Sequence, residues 1–205
     1  GSGEKMTKLA YGEGLSAKIA KSIKPSYYEN YYGMGVPLNS TTAYWNTENF
    51  VYGLKEFIKV EKGKTTFLDM GAGTGAIVKL VRDYGLLADG YELNRYALEN
   101  AEVELIERDI TEPFLKEYDI VFSNAFMYFS EEDFKKFFTN NRDKFKVLVL
   151  VYPFDGNNDR YRVNLKTREM FIEMAETYGL NTYSKEDGWL IMVRKEDAND
   201  LPFGK

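Results

Sequence analysis

A glycine-rich turn between a short apolar strand and an amphipathic helix constrains the fold of this chain more than any other feature. Residues 66–70 have the pattern of a strand that contains Asp69, glycines follow at positions 71, 73 and 75, and residues 75–84 have helical periodicity. Glycine lets a ligand approach the backbone, and a helix that begins there offers free N–H groups. Glu92 ends a second candidate strand 23 residues after Asp69, close to the spacing at which a carboxylate reaches a ribose hydroxyl. The pattern predicts a nucleoside-cofactor site.

Strand-like and helix-like segments alternate from about residue 65 onward. The predicted strands span residues 66–70, 88–92, 103–107, 118–123, 147–152, 181–184 and 189–194. Such alternation predicts a parallel sheet with helices on both faces. Only four residues separate the last two segments, which predicts a hairpin. The predicted fold class is therefore α/β: a doubly wound, mostly parallel seven-stranded sheet with a C-terminal antiparallel hairpin, preceded by an N-terminal helical cap.

The chain divides into three predicted parts. Residues 1–64 form an N-terminal helical cap or lid, residues 65–196 a Rossmann-like core, and residues 197–205 a polar, loose tail. Within the cap, a helix from about residue 15 ends at Pro25, residues 25–46 look irregular, and a second helix begins at Asn46 or Thr47. The irregular stretch is dense in aromatic residues, which we expect to contribute to a lid or substrate wall. They are Tyr27, Tyr28, Tyr31, Tyr32, Tyr44 and Trp45.

Composition excludes several kinds of chemistry. The 205 residues include no cysteine, which excludes disulfides and thiolate nucleophiles, and no histidine, which removes the commonest general base and metal ligand. A net charge of −5 disfavours a nucleic-acid partner. No apolar run reaches the length of a membrane span and no signal-peptide pattern opens the chain. We therefore expect a cytoplasmic protein without a metal site.

Four segments together resemble the motifs of the class I S-adenosylmethionine-dependent methyltransferases. They are residues 68–75 (LDMGAGTG), 90–93 (GYEL), 108–110 (RDI) and 118–126 (YDIVFSNAF). They occur in that family's order and spacing, and the likeness covers about residues 65–195. The resemblance implies the fold predicted above, transferase activity, and S-adenosyl-L-methionine as the cofactor.

Matching positions imply a set of cofactor-binding residues, which are Asp69, Gly71, Gly73, Glu92, Leu93, Asp109, Ile110 and Asn124. In the family, backbone at the two glycines and at the asparagine lines the methionine portion of the cofactor, and Asp69 lies near its amino group. Glu92 accepts hydrogen bonds from both ribose hydroxyls, and Leu93 packs on the adenine. Asp109 and the Ile110 N–H contact the adenine edge. For Asp69 a helix-capping role stays open, and for Asp109 a turn before Pro113.

The segment after the fourth strand bears on the methyl acceptor. Residues 123–128 (SNAFMY) lack the prolines found in methyltransferases that act on adenine amino groups, and resemble the segment found in small-molecule methyltransferases. Tyr128 and Asp155 follow predicted strands at the carboxyl edge and are the candidate bases, although Asp155 also fits a solvated loop. We expect methylation of an oxygen or nitrogen of a small molecule. The alternatives are a protein lysine N-methyltransferase and a NAD-binding or cofactor-sensing Rossmann protein.

Overall fold

The computed structural model describes residues 14–32, 45–151, 168–184 and 189–200. Its α-helices are α1 (Leu15–Ser22), α2 (Pro25–Tyr32), α3 (Thr47–Gly53), α4 (Ala76–Tyr84), α5 (Arg95–Glu99), α6 (Glu131–Asn141) and α7 (Arg168–Thr177). Its strands are β1 (Thr66–Met70), β2 (Leu87–Glu92), β3 (Ile106–Glu107), β4 (Tyr118–Ser123), β5 (Phe145–Val151), β6 (Leu180–Ser184) and β7 (Trp189–Arg194). Short 3₁₀ helices span Phe126–Tyr128 and Lys195–Asp200.

The seven strands form one sheet in the order β3-β2-β1-β4-β5-β7-β6. Strands β1 to β5 pair in parallel, whereas β7 is antiparallel to both β5 and β6. The predicted fold class is confirmed, including the closing hairpin. Strand β3 has only two residues, so the strand predicted over residues 103–107 was too long.

Side chains of the central strands alternate between two apolar layers, as the period of two requires. One layer holds Leu68 and Val121 with the phenylalanines of α6 and α7, and the other holds Phe67 and Phe122 with α3 and α4. Both layers are rich in phenylalanine, and these rings pack against one another either stacked or edge-on. The sheet is therefore covered on both faces, and its carboxyl edge is where a ligand can enter.

Two segments differ from the sequence-based prediction. Pro25 was expected only to end the first helix, but it is also the first residue of α2, where proline is tolerated because the first-turn N–H is unpaired in any case. At the other end, residues 195–200 form a 3₁₀ helix in contact with the core rather than a loose segment. Arg142 pairs with Glu196 at 2.8 Å, and Arg194 with Asp197.

Several helices begin or end at residues that suit those positions. Ser130 and Asp133 form a reciprocal capping box at the start of α6, and the Asn46 side chain accepts a hydrogen bond from the Asn49 N–H at the start of α3. Gly179 follows α7 with a φ of 74°, the left-handed conformation that suits a glycine after a helix. Among the described helices none is long and apolar enough to cross a membrane.

Candidate active site at the carboxyl edge of the sheet

A pocket lies at the carboxyl ends of β1, β2 and β4. It is lined by Ser16, Ala17, Ala20, Gly71, Tyr91, Glu92, Leu93, Arg108, Asp109, Ile110, Ala125 and Tyr128. The cavity itself has a volume of about 40 Å³, and the space reaches about 360 Å³ only when the open solvent at its mouth is counted. The cavity without a ligand is therefore smaller than the roughly 300–1,000 Å³ of most small-molecule sites. Six of the lining residues, from Gly71 to Tyr128, are among the predicted site residues.

The glycine-rich turn forms the floor of this pocket. Gly71, Gly73 and Gly75 all have positive φ angles, which side-chain-bearing residues adopt only with strain. Gly71 is also crowded, since a Cβ there would lie 2.8 Å from the Ala125 Cβ. The turn after β1 is thus packed directly against the segment after β4, and its backbone is bare toward the pocket.

Glu92 ends β2 and is held by three backbone donors. Its Oε1 accepts from the Gly73 N–H at 2.7 Å, and its Oε2 accepts from the N–H groups of Leu93 and Asn94 at 2.8 Å each. Burial raises the pKa of Glu92, while these three hydrogen bonds act in the opposite direction. The carboxylate is therefore fixed in orientation at the pocket wall, with one oxygen tied to the glycine-rich turn and the other to the start of α5.

Asp69 lies beneath the same turn and has a contrasting environment. The residue is 3% exposed, and its Oδ1 has no hydrogen-bond partner among the described residues. Burial, reinforced by the negative charge of Glu92, raises the pKa of Asp69 to about 8. An unpartnered buried carboxylate is costly unless a cation or donor joins it. Asp69 is not part of the pocket lining, so it can influence a ligand through its charge or through a bridging water.

Asp109 and Ile110 form the end of the pocket beyond Glu92. The Asp109 Oδ1 accepts from the Thr111 N–H at 2.9 Å and from the Thr111 hydroxyl at 2.7 Å. Asp109 therefore forms the turn before Pro113 that the sequence left open as an alternative. It also lines the pocket. Neighbouring Arg108 donates from Nε to the Pro113 carbonyl at 3.0 Å, which holds its guanidinium beside the pocket.

Helix α1, which belongs to the predicted N-terminal cap, also lines the pocket, although no motif singled out its residues. Its small residues Ser16, Ala17 and Ala20 line the cavity. Ser16 is 6% exposed, and its Oγ has no hydrogen-bond partner within the described residues. A buried hydroxyl without a partner, beside Tyr128 and Gly71 in the lining, is a candidate ligand contact. The one clue in the sequence is the spacing of small residues on an amphipathic helix.

Besides Asp69, three predicted site residues are not in the pocket lining, and one of these three lies outside the described residues. Gly73 contributes through its N–H to Glu92, and Asn124 follows β4 next to the lining residue Ala125. Asp155 falls outside the described residues. Tyr128 is nearly buried and lines the pocket. No cluster of three potential metal ligands occurs within the described ranges.

The aromatic residues of the N-terminal segment do not line this pocket where the structure describes them. Tyr28 stacks on Tyr96 of α5 with the ring centroids 6.0 Å apart, and Tyr27 packs edge-on against Tyr28. Trp45 packs against Phe50 and Phe122 on the sheet. These three residues are not in the lining of the pocket, and their predicted part in a lid or substrate wall stays a prediction. Tyr44 lies outside the described residues.

Comparison with known proteins identifies the class to which this architecture corresponds. Residues 68–144 match the family model of the methyltransferase domain. No curated protein sequence matches the chain. Many solved structures have similar folds, and the three described next are methyltransferases.

The plantazolicin methyltransferase BpumL, solved with SAH, has a TM-score of 0.59 at 15% identity over 93% of this chain and 98% of its own. The sugar N-methyltransferase KedS8 from Streptoalloteichus sp. has a TM-score of 0.60 at 13% identity over 85% of this chain and 94% of its own. The magnesium protoporphyrin IX methyltransferase from Synechocystis PCC 6803, solved with SAM, has a TM-score of 0.57 at 13% identity over 94% of this chain and 91% of its own. The fold is that of the class I methyltransferases, and the resemblance drawn from the motifs is confirmed.

Proposed function

We propose that this protein transfers a methyl group from S-adenosylmethionine to an oxygen or nitrogen atom of a small molecule. The observation that carries the proposal is the convergence of Gly71, Glu92 and Asp109 on one pocket, with the buried carboxylate of Asp69 beneath it. The three lining residues come from three different strand ends, and a class I methyltransferase fold brings them together.

The residues fit the parts of this cofactor. Glu92 offers two acceptor oxygens to a ribose diol, and Leu93 offers an apolar surface to a base. Asp69 has a buried oxygen without a partner, which suits the ammonium group of a methionine moiety. The same carboxylate also favours a sulfonium cation nearby, since an opposite charge offsets the cost of its burial.

Catalysis would rest on positioning and on exclusion of water. The cofactor supplies a methyl group already activated by the sulfonium charge, and the acceptor's lone pair forms the new bond while the sulfur keeps the electrons of the broken one. The chain's part is to align the acceptor in line with that bond inside a closed pocket. Tyr128 lines the pocket and can orient an acceptor or take its proton.

A small acceptor is favoured by the cover over the pocket. Helix α1 lies across the opening and places Ser16 and Ala17 in the lining. The similar solved structures include a sugar N-methyltransferase and a plantazolicin methyltransferase, whose acceptors are small molecules. A lysine on a folded protein would require a more open approach.

Binding of a dinucleotide is disfavoured by the topology. The strand order ends in β5-β7-β6 with β7 antiparallel, whereas the dinucleotide-binding fold continues in parallel as 3-2-1-4-5-6. Calorimetric titration with S-adenosylhomocysteine and with NAD⁺ tests this directly. We expect micromolar binding of the former only. Binding of NAD⁺ alone would overturn the proposal.

The acceptor class is tested by measuring S-adenosylhomocysteine formation with a panel of hydroxylated, carboxylated and amino compounds, and with a cell lysate containing labelled cofactor. Turnover with a small compound supports the proposal. Label confined to protein bands would instead indicate lysine methylation. Binding of cofactor without any product would indicate a sensor.

A further inference from the structure

We propose that Asn94 is a positioning residue that couples the carboxylate of Glu92 to the seating of helix α1 over the pocket. Asn94 follows Glu92 by two positions and is 2% exposed. It bonds to three separate elements, which is unusual for a residue at a helix start. The inference rests on the proposed function, because it assigns Glu92 to a bound cofactor.

The first bond is ordinary helix capping. The Asn94 Oδ1 accepts from the Ala97 N–H at 3.1 Å, so Asn94 is the N-cap of α5. Serine and aspartate perform this task about as well as asparagine. Capping alone therefore requires neither the amide nitrogen of Asn94 nor its burial.

The amide nitrogen makes the second connection, to the end of α1. The Asn94 Nδ2 donates to the Ala20 carbonyl at 2.9 Å and to the Ile23 carbonyl at 2.8 Å. Carbonyls in the last turn of a helix have no partner within the helix and need one from outside. Asn94 supplies it across more than 70 residues of chain. Among the preferred N-cap side chains only asparagine has an acceptor oxygen and two amide hydrogens, which lets it cap α5 and donate to both α1 carbonyls at once.

The backbone of Asn94 makes the third connection. Its N–H donates to the Glu92 Oε2 at 2.8 Å. One short residue thus joins the carboxylate at the pocket wall to the helix that covers the pocket. A shift of α1 would pull on Asn94 and thereby disturb the hydrogen bond that orients Glu92.

The opposite end of α1 is held in a similar way. The Asp133 Oδ2, which forms the capping box of α6, also accepts from the Ser16 N–H at 3.0 Å. Contact here is close, since a Cβ on Gly14 would lie 2.2 Å from the Asp133 Oδ1. The residues that cap α5 and α6 therefore hold the two ends of α1. The side of α1 with Ser16, Ala17 and Ala20 lines the pocket.

Coupling of this kind is reciprocal. If seated α1 strengthens the hold on a ligand at Glu92, the ligand must stabilise the seating of α1 by the same factor. Because Asn94 provides two hydrogen bonds to α1, we expect its loss to speed ligand release about tenfold.

The test compares Asn94→Ser with Asn46→Ser. Both replace an asparagine N-cap by serine, but Asn46 caps α3 and is exposed. We expect Asn94→Ser to speed the release of S-adenosylhomocysteine about tenfold in stopped-flow measurements, with the association rate changed less than threefold, and Asn46→Ser to leave release unchanged. Equal release from both variants would overturn the coupling.

A second variant reaches α1 from its other end. Gly14→Ala should collide with Asp133 and displace α1 without touching Asn94, so it should speed release as well. In the double variant Gly14→Ala with Asn94→Ser, we expect the release rate of S-adenosylhomocysteine to rise by less than the product of the two single increases, because both substitutions act through one helix. Multiplicative effects would contradict a single coupled unit.

Amide hydrogen exchange of residues 15–22 in the ligand-free protein separates the two proposals. We expect Asn94→Ser to raise exchange there about tenfold and Asn46→Ser to leave it unchanged. If the wild type binds no S-adenosylhomocysteine, the proposed function fails, while this exchange still decides whether Asn94 holds α1. Unchanged exchange in Asn94→Ser would overturn the inference in either case.

Discussion

Two aspartates on the neighbouring strands β1 and β4 show how differently the two edges of the sheet are built. Asp119 lies at the amino edge and accepts from the Thr66 N–H at 2.9 Å and from the Thr66 hydroxyl, while Lys146 is 3.1 Å away. Burial acts to raise its pKa, but the Thr66 and Lys146 contacts hold the pKa of Asp119 below its usual value. Asp69, near the carboxyl edge, has a buried oxygen without a partner and a pKa raised to about 8.

The contrast separates structural from ligand-directed polarity. At the amino edge the Asp119 carboxylate has its partners within the chain, so folding alone satisfies it. At the carboxyl edge a carboxylate stays unsatisfied until something else arrives. A buried group with a strongly raised pKa in a cleft is a mark of functional sites, and here the geometry agrees with it.

The largest effect is expected from a glycine at the carboxyl edge. Gly71→Ala should weaken S-adenosylhomocysteine binding about a hundredfold in calorimetry, because φ is +77° and the new Cβ would lie 2.8 Å from Ala125. Gly63→Ala is the matched control, with a φ of +78° and nothing within 4 Å of the new Cβ. Both variants have the same backbone strain, so equal losses would mean that crowding against Ala125 is irrelevant to the site.

Exchange of a carboxylate for an amide should affect ligand affinity at one edge only. Asp69→Asn removes the charge that suits an ammonium group, and we expect about thirtyfold weaker binding of S-adenosylmethionine at pH 8.5. Asp119→Asn should change affinity less than twofold. Isothermal titration of both variants provides the comparison, and equal affinity of the Asp69→Asn variant and the wild type would show that Asp69 takes no part in binding.

Stability should respond to the same two substitutions with opposite signs. The folded-state pKa of Asp69 is raised from 3.8 to about 8, so the folded chain binds more protons than the unfolded one between those values, and its stability falls as pH rises through this window. Ligand-free Asp69→Asn should therefore be more stable than wild type above pH 8, by more than about 1 kcal/mol in urea unfolding. Asp119→Asn loses the charge that faces Lys146 and weakens the charge-assisted hydrogen bonds from Thr66, so it should be less stable at pH 7 by about 1 kcal/mol. A loss of stability in Asp69→Asn at high pH would mean that the Asp69 carboxylate has a partner in the fold.

Local sequence patterns predicted most of the sheet and part of the site. Strands β1 and β4 and the hairpin strands were located within one residue, because alternating apolar residues and turn signals specify them locally. The motif residues Gly71 and Glu92 were found in the same way, since a glycine turn and a strand-end acid are visible without knowledge of the fold.

Contacts between distant parts of the chain were not predictable from such patterns. Nothing near Ala20 indicates that Asn94 holds its carbonyl, and nothing near Glu196 indicates Arg142. The ring partners of Tyr28 and Trp45 are a further example, since nothing near Tyr28 indicates its stacking on Tyr96 and nothing near Trp45 indicates its contact with Phe122.

The smallest effect is expected from the hydroxyl of Tyr128. Tyr128→Phe keeps the ring that lines the pocket at the 3₁₀ turn. It removes the hydroxyl, through which the Tyr128 side chain could take or share a proton. We expect turnover of the acceptor found in the panel to fall about fivefold, equivalent to about 1 kcal/mol, with binding of S-adenosylhomocysteine within twofold of wild type. Tyr118→Phe is the control, since the Tyr118 hydroxyl donates to Asp89 at 2.6 Å within the sheet and away from the pocket lining. It should lower stability and leave turnover unchanged. Full activity in Tyr128→Phe would indicate an acceptor atom that is already ionised or that needs no proton removed. The protein would then contribute to the reaction only by positioning the acceptor and the cofactor at the carboxyl edge of the sheet.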